Sequence, residues 1–276
     1  MSATPVSLDA LVSGITDGMT LALPPDYSGC AMSAVSALIR RGVRDLHLVG
    51  VPSGGLQSDW LIGSGSVATV EAAAMTLGEF GVPPCFARAF KDGAITMLDG
   101  TCPAIHAGLQ ASEKGIPFMP LRGIIGSDLL SHRDDWKVVD NPMADTDGAD
   151  PIVLIKAIRP DATLFHARYA DRDGNVWIGV RRELMLMAHA SRRTLVTVEE
   201  FVDGNLLADP KMAAGTIPSL YVDAIAVAER GAEPVGLVGA YDADRDAIGA
   251  YVSAAKTADG FAAWADAQLG LQTAVV

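Results

Sequence analysis

Three short segments carry the residue types that could do chemistry: Asp99-Gly100-Thr101, Ser53-Gly54-Gly55, and Pro24–Cys30, which contains Ser28 and Gly29. Each directly follows an apolar run that reads as a strand. A carboxylate at Asp99, if desolvation raised its pKa, could act as a general base; the competing reading is a turn aspartate bonding local amides. Backbone N–H groups of Ser53, Gly54 and Gly55 could form an oxyanion hole, with glycine allowing a ligand to come close. A plain strand-to-helix glycine turn fits the same residues. Arg122 could clamp a carboxylate with its forked guanidinium or pair with a nearby acid. Glu79, in Glu-Phe-Gly with Pro83-Pro84 behind it, could orient a substrate, or cap a loop, or pair with Arg88.

Other residue types point to less. His47, His106, His132, His166 and His189 lack the spacings of a metal-binding helix, and each reads as a core or surface histidine. Cys30, Cys85 and Cys102 are odd in number and lack CxxC spacing, so neither a disulfide framework nor a zinc site is indicated. Asp171–Asn175 opens like a calcium loop but lacks the length and the closing glutamate; a hairpin turn fits better. Gly63-Ser64-Gly65 is not a dinucleotide fingerprint.

These residues must be positioned by elements that the hydrophobic pattern outlines. The chain has 276 residues, half of them hydrophobic, and a net charge of −12. That length can bury a substantial core. The charge argues against a nucleic-acid partner, because the arginine pairs at 40–41, 181–182 and 192–193 are isolated rather than striped. The start of the chain lacks a basic segment followed by an apolar core, and no apolar run approaches the ~20 residues of a membrane span. Strands are expected at 19–23, 45–51, 68–74, 95–98, 118–121, 152–158, 162–167, 176–178, 195–198 and 224–227. Helices are expected at 31–41, 86–92, 103–115 and 183–192, with a short helix or turn from Trp60, a long loop from 126 to 151, and a helical tail from 242 to 269. Repeated strand–loop–helix units imply an α/β fold, an open and mostly parallel sheet flanked by helices, in one domain over 1–276. In such sheets ligands sit beyond the carboxyl ends of the strands.

Six blocks in register resemble one family. They are Gly78-Glu79-Phe80-Gly81 through Ala89; Gly93–Thr101; Gly108–Pro120; Ala170-Asp171-Arg172-Asp173-Gly174-Asn175-Val176; Thr197-Val198-Glu199-Glu200; and Ile217–Ala224. Together the chain resembles the α-type subunit of the family I coenzyme A transferases, a group that includes related ring-cleaving acyl-CoA hydrolases. The resemblance implies a layered α/β fold and a site shared with a β-type subunit, expected as α2β2 in the cytoplasm. It further implies CoA transfer between carboxylic acids through a glutamyl thioester whose glutamate the β subunit carries. No tightly bound cofactor is implied; coenzyme A enters as substrate. By resemblance Asp99 stands where relatives carry a Glu or Gln facing the acyl group, and Glu79 superficially mimics the Glu-x-Gly setting of the nucleophile. Ser53, Gly54 and Gly55 stand where relatives often place an Asn donor, and Ser28 and Gly29 lie in place of a mobile Gly-Gly-Phe-Gly loop that this chain lacks. Alternatives are an α subunit of a hydrolase cleaving carbocyclic acyl-CoA and a non-catalytic CoA-binding regulatory subunit.

Overall fold

The computed structural model describes residues 3–145 and 148–270. Its strands, in chain order, are β1 (Thr20–Leu23), β2 (Leu46–Gly50), β3 (Val67–Ala72), β4 (Thr96–Asp99), β5 (Phe118–Leu121), β6 (Lys137–Asp140), β7 (Pro151–Lys156), β8 (Ala162–Asp171), β9 (Val176–Trp177), β10 (Thr194–Val202), β11 (Thr216–Ile217) and β12 (Ala224–Val227). The helices are α1 (Leu8–Val12), α2 (Met32–Arg40), α3 (Leu56–Gly63), α4 (Pro84–Lys91), α5 (Cys102–Glu113), α6 (Arg182–Ala190), α7 (Arg245–Ala254) and α8 (Ala258–Leu269).

Seven strands form a parallel sheet in the order β12-β10-β8-β1-β2-β3-β4; β9 turns back as a hairpin on the far end of β8, and β11 pairs antiparallel with β9. Residue alternation assigns the two faces. Leu21, Leu23, Leu46, Leu48 and Val70 pack with α1, α2, α3, α7 and α8 on one side. Ala22, Val49, Phe165 and Val196 pack with α5 and α6 on the other, against Ile105, Leu109, Leu184 and Met187. A second sheet, β5-β7-β6, is antiparallel and lies on α5 through Val153, Ile155 and Ala104.

The structure departs from the hydrophobic pattern in instructive places. Helix α3 begins at Leu56, four residues before Trp60, because its start is buried and carries no amphipathic signal; Leu56, Gln57, Ser58 and Asp59 are all inside. Strands β8 and β10 run past 167 and 198, through polar residues that the hairpin and a hydrogen-bonded network absorb. The tail is two helices, not one, since Thr257 caps α8 by accepting the Gly260 N–H at 3.1 Å.

The segment from 126 to 151 is not a plain loop, though Thr146 and Asp147 lie outside the described residues. It contains β6 and a 3-10 turn at Asp128–Ser131, and it buries Trp136 and Arg133. The Arg133 guanidinium is 4.1 Å from the Trp136 ring. It donates to Glu71 on β3 at 2.6 Å, to Asp135 at 2.9 Å and to the Asp99 carbonyl at 3.1 Å. One side chain thus ties the small sheet to two strands of the large one. Removing it would leave Glu71, itself buried, with only the His47 imidazole at 3.3 Å as a basic neighbour. Arg133→Met should therefore cost about 3–5 kcal/mol in denaturant unfolding; a loss below about 1 kcal/mol would contradict this account.

Candidate functional site

Along the chain the sheet grows from β1 to β2, β3 and β4 on one side, then returns to lay β8, β10 and β12 on the other. The order reverses between β1 and β8, and the loops leaving their carboxyl ends diverge there, which is where open α/β sheets form binding crevices. Strand β8 outlasts β1. Ala162 and Thr163 pair with Leu21 and Ala22, after which the Pro24–Cys30 loop takes over as neighbour: the His166 N–H donates to the Gly29 carbonyl at 2.7 Å. Gly29 has φ +82°, and a Cβ there would run into the His166 carbonyl oxygen, so only glycine fits.

A crevice opens at this reversal. Tyr27, Ser28 and Gly29 form one lip, and His166, Ala167 and Arg168 of β8 the floor. Trp177, Ile178, Arg181 and Leu184 close the far side, with Leu237 and Val238 at one end. The lip is held by Ser28, whose hydroxyl donates to Glu183 of α6, and by Tyr27, over whose ring the Arg181 guanidinium lies at 5.3 Å.

Beneath the crevice His166 is buried with both ring nitrogens engaged. Nε2 bonds Glu199 at 2.7 Å and Nδ1 bonds Thr197 at 2.8 Å. Glu199 also accepts the Tyr241 hydroxyl and the Arg230 N–H, each at 2.8 Å. Burial alone would push the Glu199 carboxyl up, but the hydrogen bonds from His166, Tyr241 and the Arg230 amide outweigh it and hold the pKa at about 2. The carboxylate is an anchor that accepts three hydrogen bonds.

The residues singled out in the sequence fall at several places. Ser28 and Gly29 line the crevice. The Ser53–Gly55 loop joins the Pro24–Cys30 loop through Asp26, which accepts the Leu56 N–H at 2.8 Å, while a Cβ on Gly55 would strike the Asp26 carboxylate. The Gly54 N–H donates to the Ala74 carbonyl at 3.0 Å, so that amide is already in use. Asp99 is exposed at the end of β4 and accepts its neighbour's amide, Gly100 N–H, at 2.9 Å. Arg122 pairs with both oxygens of Asp150, on the small sheet. Glu79 pairs with Arg245 of α7, not with Arg88, which donates instead to the Ala255 carbonyl.

Arg168, Arg181, Trp177 and Glu183 were not singled out in the sequence. Arg181-Arg182 reads there as one more isolated pair, and only the hairpin's placement on β8 brings it to the crevice. Among the described residues no three His, Cys, Asp or Glu side chains are grouped to hold a metal, and no helix is long and apolar enough to cross a membrane.

Residues 6–228 match the family model for coenzyme A transferase, and the chain belongs to that family. Within it, the chain is an α-type subunit. It is 31% identical over 252 residues to the A-type subunit of glutaconate CoA-transferase from Acidaminococcus fermentans, covering 84% of this chain and 76% of the relative. The crystal structure of glutaconate coenzyme A-transferase from that organism superimposes with a TM-score of 0.89 at 26% identity, over 98% of this chain and 90% of the other. The cholesterol ring-cleaving hydrolase IpdA subunit of Rhodococcus jostii is 29% identical, over 91% of this chain and 87% of its own. The crystal structure of a variant of the decarboxylase AibA/AibB matches with a TM-score of 0.82 at 29% identity, covering 96% of this chain and 99% of the other. One fold thus stands behind relatives named for three different reactions.

Glu199→Ala would strand buried His166 and the Tyr241 hydroxyl, lowering unfolding stability at neutral pH by roughly 3 kcal/mol, measured in denaturant. Asp26 titrates the other way. Burial raises its pKa to about 6 against the bond from the Leu56 amide, so the folded chain holds a proton there that the unfolded chain has released. Its contribution to stability is complete below the ordinary aspartate range and lost as pH rises through about 6. Asp26→Asn cannot ionise and should flatten the fall in melting temperature between about pH 4 and pH 6; an unchanged slope would count against it.

Proposed function

We propose that this chain is the α half of a heteromeric acyl-CoA enzyme that transfers coenzyme A between carboxylic acids, with the nucleophilic carboxylate supplied by a β-type partner. The observation that carries this reading is the state of the chain's own acids. Near the crevice Glu199 is bonded to His166, Glu183 accepts from Ser28, and Asp26 binds the Leu56 amide. Farther off Glu79 pairs with Arg245 and Asp99 accepts from Gly100. A carboxylate that must attack a thioester needs freedom to approach it, which these structural contacts restrict, and that argues for one delivered from outside. Exposed Tyr27, Val180 and Val238 around the mouth fit a partner closing over it.

On this reading the partner sits over the carboxyl edge of the sheet in a cytoplasmic α2β2 assembly. Coenzyme A is a substrate rather than a resident cofactor, and Ser28, Gly29 and the Ser53–Gly55 loop shape the acyl end of the site. Asp99 is the acid of this chain best placed, at a strand's carboxyl end, to act directly if a partner displaced its bond to Gly100. The likeness to a ring-cleaving hydrolase supports hydrolysis of a carbocyclic acyl-CoA as the second reading, in which water takes the place of the acceptor acid.

Co-expression with a β-type subunit, followed by borohydride trapping on incubation with acyl-CoA, separates these readings. Transfer to a second carboxylic acid with reduction of a partner glutamate is the expected result. Release of free CoA without trapping, abolished by Asp99→Ala, would select the hydrolase. A monomer that co-purifies with no partner would sink the heteromer.

A further inference from the structure

The crevice is shallow, with about 30 Å³ of enclosed space. A larger cavity, of about 460 Å³, lies elsewhere and shares none of its lining residues. That volume falls within the range of small-molecule sites. Its floor belongs to the large sheet: His47 on β2, Glu71 on β3 and Leu98 on β4 lie on the side where Val49 packs against α5. The segment that joins β7 to β8, residues 156–159, lines it as well, and so do residues 132–135. The joining segment is fixed in place. The Ala157 N–H donates to the Pro117 carbonyl at 3.0 Å and the Ile158 N–H to the Gly108 carbonyl at 2.9 Å. A Cβ on Gly108 would strike Ile158, so α5 and this segment are in close contact.

The charges of the lining are unequally engaged. Arg133, almost wholly buried, takes up two of the three acids, Glu71 at 2.6 Å and Asp135 at 2.9 Å. The other two cations, Lys156 and Arg159, make no side-chain hydrogen bond or ion pair among the described residues. Asp134 is the remaining acid, and it is exposed. Three cations against three acids, in a chain of net charge −12, amount to a local excess of positive charge. Lys156 offers a point charge and Arg159 a planar fork, the two donor types that hold phosphoryl oxygens, and His132 adds a third basic side chain. A carboxylate has only two oxygens to share among such groups, whereas a phosphoryl group has three and carries up to two negative charges.

We propose that this cavity binds the phosphoryl group of an organic phosphate, held by Lys156 and Arg159, with the carbon skeleton over Leu98 and Ile158. Two sources supply that chemistry: coenzyme A's own phosphates, or a separate phosphorylated metabolite. The cavity stands apart from the crevice, so this binding is independent of the reaction performed there.

The test is calorimetric titration of the chain purified with its β-type partner, or of the chain by itself if no partner assembles with it. The probes are phenyl phosphate, inorganic phosphate, adenosine 3′,5′-bisphosphate and coenzyme A. Phenyl phosphate should bind more tightly than inorganic phosphate, through the apolar floor. Lys156→Gln and Arg159→Gln should each weaken phenyl phosphate binding by roughly 10-fold, and the double variant by roughly 100-fold. Both side chains are exposed, so the melting temperature should not move. Lys137→Gln, exposed on β6 outside the cavity, should leave binding as it was. Coenzyme A and the bisphosphate losing affinity in step with phenyl phosphate would identify coenzyme A as the source. Unchanged coenzyme A binding beside a loss of phenyl phosphate binding would identify a separate metabolite. The proposal is overturned if no phosphate probe binds, if binding survives the double variant, or if benzoate binds as tightly as phenyl phosphate. Binding abolished by physiological chloride would mark an adventitious ion only and overturn it too. Tighter binding of free phenylalanine than of phenyl phosphate would assign the cavity to a zwitterion held jointly with Asp134, with the same consequence.

Discussion

The crevice depends on one constraint: β1 has parallel neighbours on both sides, but its strand ends before β8 does. With Ala22 opposite Thr163, Leu23 is the last residue β1 can offer. The edge of β8 beyond that point must be satisfied by something else, since unpaired backbone groups at a buried edge are costly. The Pro24–Cys30 loop meets the need by bringing Gly29 back against His166. That return places Ser28 and Tyr27 at the crevice lip, and it demands a residue with no Cβ. On the opposite edge β10 continues beside β8 as far as Asp171, which keeps the floor rigid. The cleft is thus the space left where one strand stops and its neighbour continues.

Carboxylates secure the elements around that space by a shared device. Asp26 receives the first amide of α3, Asp59 receives the Cys85 and Phe86 amides that open α4, and Asp223 receives the Thr194 amide that opens β10. Asp171 closes the β8–β9 turn by accepting from Asp173, Asn175 and Leu206. Each satisfies donors that no regular ladder reaches. The acidity of the chain is therefore partly architectural, and a catalytic role cannot be read from a carboxylate merely because it sits after a strand.

That distinction explains how much was legible in the sequence. Apolar runs and glycine punctuation located the parallel strands and the helices beside them, because burial on a sheet leaves a periodic record. The rule that ligands gather beyond the carboxyl ends of such strands drew attention to the loop with Ser28 and Gly29, which forms a crevice wall. Arg168 and Arg181 left no local record, because β8 and the residues after β9 become neighbours only through hairpin pairing. Arg133 was hidden for a similar reason: a run rich in Asp, Gly and Pro reads as loop even when one arginine in it is fully buried. Glu79 is a different case: its Glu-Phe-Gly setting carries a motif's outline, and its side chain pairs with Arg245 on α7.

The same electrostatics bear on the proposed division of the work between two chains. A guanidinium held unpaired in a half-buried cleft attracts any carboxylate its own chain could place nearby, and the resulting pair would quench both groups. Glu183 illustrates how this is avoided, since Ser28 engages it and Arg181 instead stacks on Tyr27. A nucleophilic glutamate built into this lip would face the same competition in every resting molecule. On the proposed function, a glutamate carried on a separate chain would arrive only at the mouth, so the resting subunit never holds the opposite charges together. The separation of charge that the cleft maintains would then be a reason for placing the nucleophile on a partner, rather than a consequence of it.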